Sequence, residues 1–343
     1  MKRTFWKSMA VLAIGILVLG GLSLPSAVAA EKVIKITIPS HVPPSYHDMF
    51  PPIKQFVDRV NELGKGKVQA NLYHSESLYK VKDIIPALMN GSCEMVFHTS
   101  SHTTGAWPEI GGLNLPFLYK NNEDVMEHWK QGGELMNLLN KEMDRKYGVR
   151  ILGAGITGSI WLWTIDKKPV TKPADLKGLK IRTTGKVDAD FVKACGGSPI
   201  FLSSAETYEA LQRGTIEGLT TFPGGLVGRN LDEVLRYGLD TGAPMTAWAY
   251  QLYALNKTFN AWPKDVQEVI LTAAREFDTA MFKSMMKYEQ EVVFPRITKK
   301  VKILKPTAED LKKFQEVGAT IFPTWTKTVD KDFAQKFIDL SRK

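Results

Sequence analysis

Arg182 closes a short apolar run, Leu179-Lys180-Ile181-Arg182, that is fed by a polar turn over Val170 to Gly178. Open α/β sheets place their ligands at the carboxyl ends of strands. A guanidinium there offers a planar fork of donors that fits a carboxylate. The chemistry this spells is anion capture, although a surface arginine after a strand has the same local sequence. His98 and His102 lie four residues apart after the apolar run Met95-Val96-Phe97, with Thr99 between them. On a helix that spacing could share a metal. After a strand, with no third ligand in the pattern and no H-E-x-x-H, no metal site is expected. Structural histidines and ligand-contacting histidines both fit these positions. Trp161 and Trp163 alternate and share one face of a strand, where tryptophan pairs usually pack in the core. Gly153 to Gly158 spells G-x-G-x-x-G after a strand. A dinucleotide needs a helix next, and Ser159 to Trp163 reads as strand, so no cofactor is expected. There is no G-x-S-x-G and no convincing Cys–His pair, so no catalytic residue is nominated. An enzyme stays open, because triad partners need not be neighbours in sequence.

The elements around these residues follow from periodicity. Val33 to Ile38 alternates as a first strand and leads into a loop holding His41 and Tyr46. Pro51 and Pro52 suit the first turn of a helix that Gly64 stops. Strands are expected over Val68–Tyr73, Met95–Phe97, Val149–Leu152, Ile160–Thr164, Leu179–Arg182, Thr215–Thr221 and Tyr250–Leu255. A helix over 122–147 is expected to break at Gly132-Gly133. Strand–helix–strand alternation of this kind argues for an α/β fold with parallel or mixed sheets. Ser203-Ser204-Ala205-Glu206 reads as a capping box for the helix carrying Tyr208 and Leu211. Pro263 opens a long amphipathic helix reaching towards Val293.

With 343 residues the chain has room for two domains. Residues 1–29 read as a secretory signal peptide: Lys2, Arg3 and Lys7, an apolar run from Met9, then Ala27-Val28-Ala29-Ala30 for cleavage. Removing it takes the net charge from +9 to +6 by deleting those three cations. The remaining lysines are scattered, with no basic helix or nucleic-acid motif, so no nucleic-acid partner is expected. A mild positive field suits organic anions better. Cys93 and Cys195 fall in different expected lobes and read as buried free thiols.

Pro173-Ala174-Asp175-Leu176-Lys177-Gly178-Leu179-Lys180-Ile181-Arg182, with Tyr208-Glu209-Ala210-Leu211-Gln212-Arg213-Gly214 and Ile216-Glu217-Gly218 downstream, resembles the core signature of DctP-type solute-binding proteins of TRAP transporters. The resemblance runs from about residue 33 to the C-terminus. It implies a monomeric periplasmic receptor that hands a small organic anion to TRAP membrane permease subunits, with no cofactor and no chemical step. It implies two α/β lobes with a ligand cleft between them and a long helix packing against both. The lobes are expected over 31–157 plus 247–287 and over 158–246 plus 288–343. Arg182 stands where the family clamps the ligand carboxylate. His98, Thr99 and His102 fall on or beside the family's ligand-contacting loop. Tyr46, Trp161, Trp163, Thr221 and Phe222 complete the expected ligand-binding set. The sequence departs from the family at Ile160, where some members carry a second arginine, and at Thr221, where many carry Asn. Those departures imply a less polar acid, aromatic or weakly polar. An ABC-type binding protein and a periplasmic enzyme acting on an organic acid are the alternatives.

Overall fold

The computed structural model describes residues 33–343, and the signal peptide expected over residues 1–29 lies outside them. Among the described residues ten strands carry the fold: β1 Ile34–Pro39, β2 Val68–Tyr73, β3 Met95–Thr99, β4 Val149–Thr164, β5 Lys180–Thr183, β6 Ser198–Phe201, β7 Gly218–Thr221, β8 Tyr237–Leu239, β9 Thr246–Leu255 and β10 Lys302–Leu304. β1 and β2 pair in parallel. β9 runs antiparallel to β3 on one side and to the first part of β4 on the other. The last four residues of β4, Trp161 to Thr164, pair instead with β7, and β8 flanks the same stretch. β5 lies between β6 and β7, parallel to both, and β10 is parallel to β8. The sheets are therefore mixed, as the alternation of elements implies, and one long strand belongs to two groups of partners.

β4 is a correction. Two separate strands were expected over Val149–Leu152 and Ile160–Thr164; the structure has one strand of 16 residues running through the glycine motif. Its register against β9 shifts between Ile151 and Gly153 and again between Ile156 and Ser159. Such bulges bend a strand and raise its twist. The glycines have a packing cause. A Cβ on Gly155 would lie 2.5 Å from Met281 Cγ, and Gly158 adopts φ +86° against Met285. Both methionines sit on the helix Lys264–Tyr288, which buries Val266, Ile270, Phe277, Met281 and Met285 at helical spacing. The motif's glycines let this helix lie directly on the crossing strand. The helix continues through a π-helical turn, Glu289–Val293, into Phe294–Ile297. It is the long helix expected from the sequence, and residues on it join both the core around Phe97 and Tyr250 and the core around Trp163. The last three helices bury Trp325 and Phe337 in one core with Leu139, Val187 and Phe191. Cys93 and Cys195 are free and buried, as expected.

Asp278 pins the long helix to the first bulge. Its Oδ1 accepts the Ala154 backbone N–H at 2.7 Å. Burial pushes its carboxyl up from 3.8 to about 8, because an ion is costly away from water. A raised folded-state value means that this group's contribution is complete below the unfolded value and is lost as pH climbs through the folded one. Wild-type stability should therefore decline between about pH 4 and pH 8 on this account. Asp278→Asn keeps the acceptor and cannot ionise. In urea titrations its advantage over wild type should be small at pH 5 and reach roughly 1–4 kcal/mol at pH 9. A difference that does not change with pH would show that Asp278 titrates normally.

Candidate functional site

The carboxyl ends of β1, β3, β5 and β7 meet around one small cavity. The residues after β1, β5 and β7 supply His41, Thr184 and Phe222 to its wall, and Thr99, Arg182 and Thr221 come from the last residues of β3, β5 and β7. Tyr46 enters from the loop after β1, and Trp248 from β9. The cavity volume is about 30 Å³, room for water and not for an organic acid.

Arg182 is 3% exposed. Nε donates to the Leu202 carbonyl at 2.9 Å and Nη1 to the Thr220 carbonyl at 3.4 Å. These two bonds fix the fork across the ends of β6 and β7. Among the described residues no carboxylate lies within ion-pair distance of it. Burial lowers its pKa from 12.5 to about 10, which still leaves it charged at neutral pH. Asp188, whose charge acts on it, is already engaged. It accepts the backbone N–H groups of Thr184 and Gly185 and the hydroxyls of Thr184 and Thr220.

A second guanidinium stands nearby. Arg229 packs over the Tyr46 ring at 5.5 Å and donates to Ser204 Oγ at 3.1 Å. Its Nε is buried without a partner. The charges of Arg182 and Arg229 both reach His41, whose pKa falls well below the usual histidine value, with burial as the main cause. Burial also takes His98 down to about 3 and His102 well below its ordinary value. The three rings are thus neutral in a positively charged pocket. Trp248 adds a buried indole N–H with no acceptor. Convergent donors of this kind, two of them charged, are built to receive oxygen anions.

The expected residues separate into two groups. Arg182, Tyr46, Thr99, His102, Thr221 and Phe222 all line the cavity. His98 stands just behind it, with Nδ1 3.3 Å from His41 Nδ1. Trp161 and Trp163 do not reach the cavity. Trp163 is fully buried among Leu211, Leu219 and Leu226, stacked at 5.2 Å on Trp161, which in turn meets Phe294. Trp163 Nε1 donates to the Thr221 carbonyl at 2.9 Å, so it steadies the strand end from behind. The sequence reading also found no third partner for His98 and His102. The structure supplies one, His41, with all three ring centroids 5.2 Å apart. His41, Trp248 and Arg229 are the residues that the sequence did not nominate. The position of His41, two residues beyond β1, was the available signal for it.

Comparison with known proteins agrees with this architecture. Residues 39–328 match the family model of bacterial extracellular solute-binding proteins, family 7, DctP. The 2,3-diketo-L-gulonate-binding periplasmic protein of Escherichia coli is 26% identical over 247 residues, covering 70% of this chain and 72% of its own. Two crystal structures share the fold. One is an extracytoplasmic solute receptor of Bordetella pertussis binding pyroglutamic acid, at TM-score 0.81 and 20% identity, covering 91% of this chain and 100% of that one. The other is a TRAP periplasmic solute-binding protein of Shewanella oneidensis with bound succinate, at TM-score 0.80 and 20% identity, with the same coverage. With a match spanning most of the chain, a mixed two-lobe α/β fold and strand ends converging on an unpaired arginine, this protein belongs to the DctP family of TRAP-type solute receptors.

Proposed function

We propose that this protein is a periplasmic receptor that captures a small organic acid through Arg182 and presents it to the permease of a TRAP-type secondary transporter. The observation that carries this reading is a buried guanidinium with no carboxylate within ion-pair distance among the described residues. Burying a charge without a partner costs several kcal/mol, so such a residue persists where a ligand completes the pair. Relatives and neighbours bind 2,3-diketo-L-gulonate, pyroglutamic acid and succinate. All three present a carboxylate. Tyr46, Phe222 and Trp248 around the fork favour an acid with an apolar or weakly polar body over a heavily hydroxylated one. Only binding is needed of this site.

The cavity volume requires movement. An acid of a few carbon atoms does not fit in about 30 Å³, so the lobes must part for it to enter and leave. β4 is the strand that changes partners between the two groups of sheets, and its bulged segment around Ile156–Ser159 is the natural place for bending. Ligand bridging the two walls then favours the closed form by its differential affinity. The helices among the described residues include none long and apolar enough to cross a membrane. The proposed receptor is released after cleavage of residues 1–29 and works beside its membrane partner as a monomer.

A thermal-shift screen over mono- and dicarboxylic acids tests the reading. A cognate acid at 100 times its Kd should add about 2.7 kcal/mol to stability and raise Tm accordingly, while the matching amide or alcohol should not. If acids and their amides shift Tm equally across the screen, carboxylate capture is wrong.

A further inference from the structure

The three imidazoles beside the anion site have the arrangement of an open metal centre. We propose that His41, His98 and His102 bind one divalent transition metal of the zinc class, and that its remaining position faces the cavity, where it takes an oxygen of the bound carboxylate. Ring nitrogens of all three lie within 4.8 Å of one another. The His41 and His98 Nδ1 atoms are 3.3 Å apart. Two nitrogens on a tetrahedral Zn²⁺, each at about 2.0–2.1 Å, stand about 3.3–3.4 Å from each other. That pair is already spaced for a shared ion, and His102 needs only a small ring movement to join.

The surroundings orient the rings as metal ligands require. His41 Nε2 faces Thr99 Oγ1 at 3.3 Å, and the His98 ring bonds to the Val81 backbone. Metal-bound histidines nearly always donate their other N–H to such a partner, which fixes the tautomer and aims the lone pair at the metal. Both nitrogens of His102 are buried with no hydrogen-bond partner in the protein. A histidine serving only as a core residue would leave that polar capacity unspent. Three neutral imidazoles with one open position suit Zn²⁺, Ni²⁺, Cu²⁺ or Co²⁺ and not Ca²⁺ or Mg²⁺, which prefer oxygen. Arg182 and Arg229 add two positive charges close by, so a bare dication is opposed there and a carboxylate relieves the repulsion. Metal and carboxylate should therefore tighten each other's binding by the same factor.

The inference shares its cavity with the proposed acid site, and its coupling clause rests on that reading; its test is separate. Chelator-stripped protein is titrated with ZnCl₂ by calorimetry, once in sodium acetate and once in sodium chloride of equal ionic strength. The expected result is one Zn²⁺ per chain, bound more tightly in acetate. His41→Ala and His102→Ala should each weaken it at least about 100-fold, on the scale of ligand-shell losses or beyond. His47→Ala, at an exposed histidine outside the cluster, should change nothing. Co²⁺ should give the intense visible absorption of a four-coordinate ion in wild type. Circular dichroism melts establish that each variant is folded, and His102→Gln serves if the alanine variant is not. No saturable Zn²⁺ binding in either buffer, or binding that survives both histidine substitutions, overturns the metal site while leaving carboxylate capture by Arg182 standing. Equal affinity in the two buffers overturns the shared oxygen. A cognate acid that binds wild type and Arg182→Ala equally would instead remove the acid reading, whatever Zn²⁺ does.

Discussion

Arg182→Ala is expected to weaken binding of the cognate acid by about 2–5 kcal/mol, roughly 30- to 4,000-fold in Kd. The reason is geometric as well as electrostatic. The guanidinium is held by the Leu202 and Thr220 carbonyls, so its fork is preorganised and little entropy is lost when a carboxylate arrives. In the variant, the carboxylate would be buried without its partner. Arg182→Lys should recover only part of the loss, because an ammonium cannot offer two parallel donors. The unliganded variant should be as stable as wild type within about 1 kcal/mol. Two hydrogen bonds are lost, each worth about 1 kcal/mol, but an unpaired buried charge is removed with them. Calorimetry and urea unfolding on the same samples separate these effects. A folded alanine variant within twofold of wild-type affinity would show that another residue is the clamp.

Trp163→Ala should act in the opposite way, on stability and not on recognition. The side chain is fully buried, stacked on Trp161, and bonded to the Thr221 carbonyl. Truncating a buried aromatic of this size typically costs about 3–5 kcal/mol. Trp163→Phe keeps most of the ring and removes the N–H, leaving a buried carbonyl unpaired at a cost of about 1–3 kcal/mol. Its acid affinity should remain within about threefold of wild type, since Thr221 stays in place. If Trp163→Phe loses affinity on the scale of Arg182→Ala while its unfolding midpoint is unchanged, the tryptophan touches ligand after all.

The contrast between these two residues shows what a one-dimensional pattern carries. Arg182 was legible because a strand end has a fixed relation to the cleft of an α/β sheet, and the strand itself was legible from its apolar run. Trp161 and Trp163 were correctly put on one face of a strand, but alternation does not say which face the cleft is on. Here that face turns to Phe294 and the Leu226 core. The long helix was readable from its 3–4 spacing, and the reason for the glycines in β4 was not, since it lies in Met281 and Met285 more than a hundred residues away. Local glycine content also made one strand look like two. Trp248 was missed because β9 begins at Thr246, four residues before the expected start, and is buried on both sides without alternation. His41 joined no pattern because its partners are 57 and more residues further on. Arg229 follows a short glycine-rich helix, Pro223–Gly228, and carries no periodic signal at all.

The acid's carboxylate is expected to pair with Arg182 inside the cavity between the strand ends. Another depression, an open groove of about 590 Å³ lined by Phe117, Phe322 and Arg342, is larger and also has an arginine at its wall. A crystal structure of the protein with the acid identified by the thermal-shift screen distinguishes the two directly. The expected result is a carboxylate about 2.7–2.9 Å from the Arg182 guanidinium nitrogens, with Tyr46 and Trp248 against the body of the ligand. An acid found in the groove by Arg342, or in the cavity with its carboxylate turned away from Arg182, would contradict the claim.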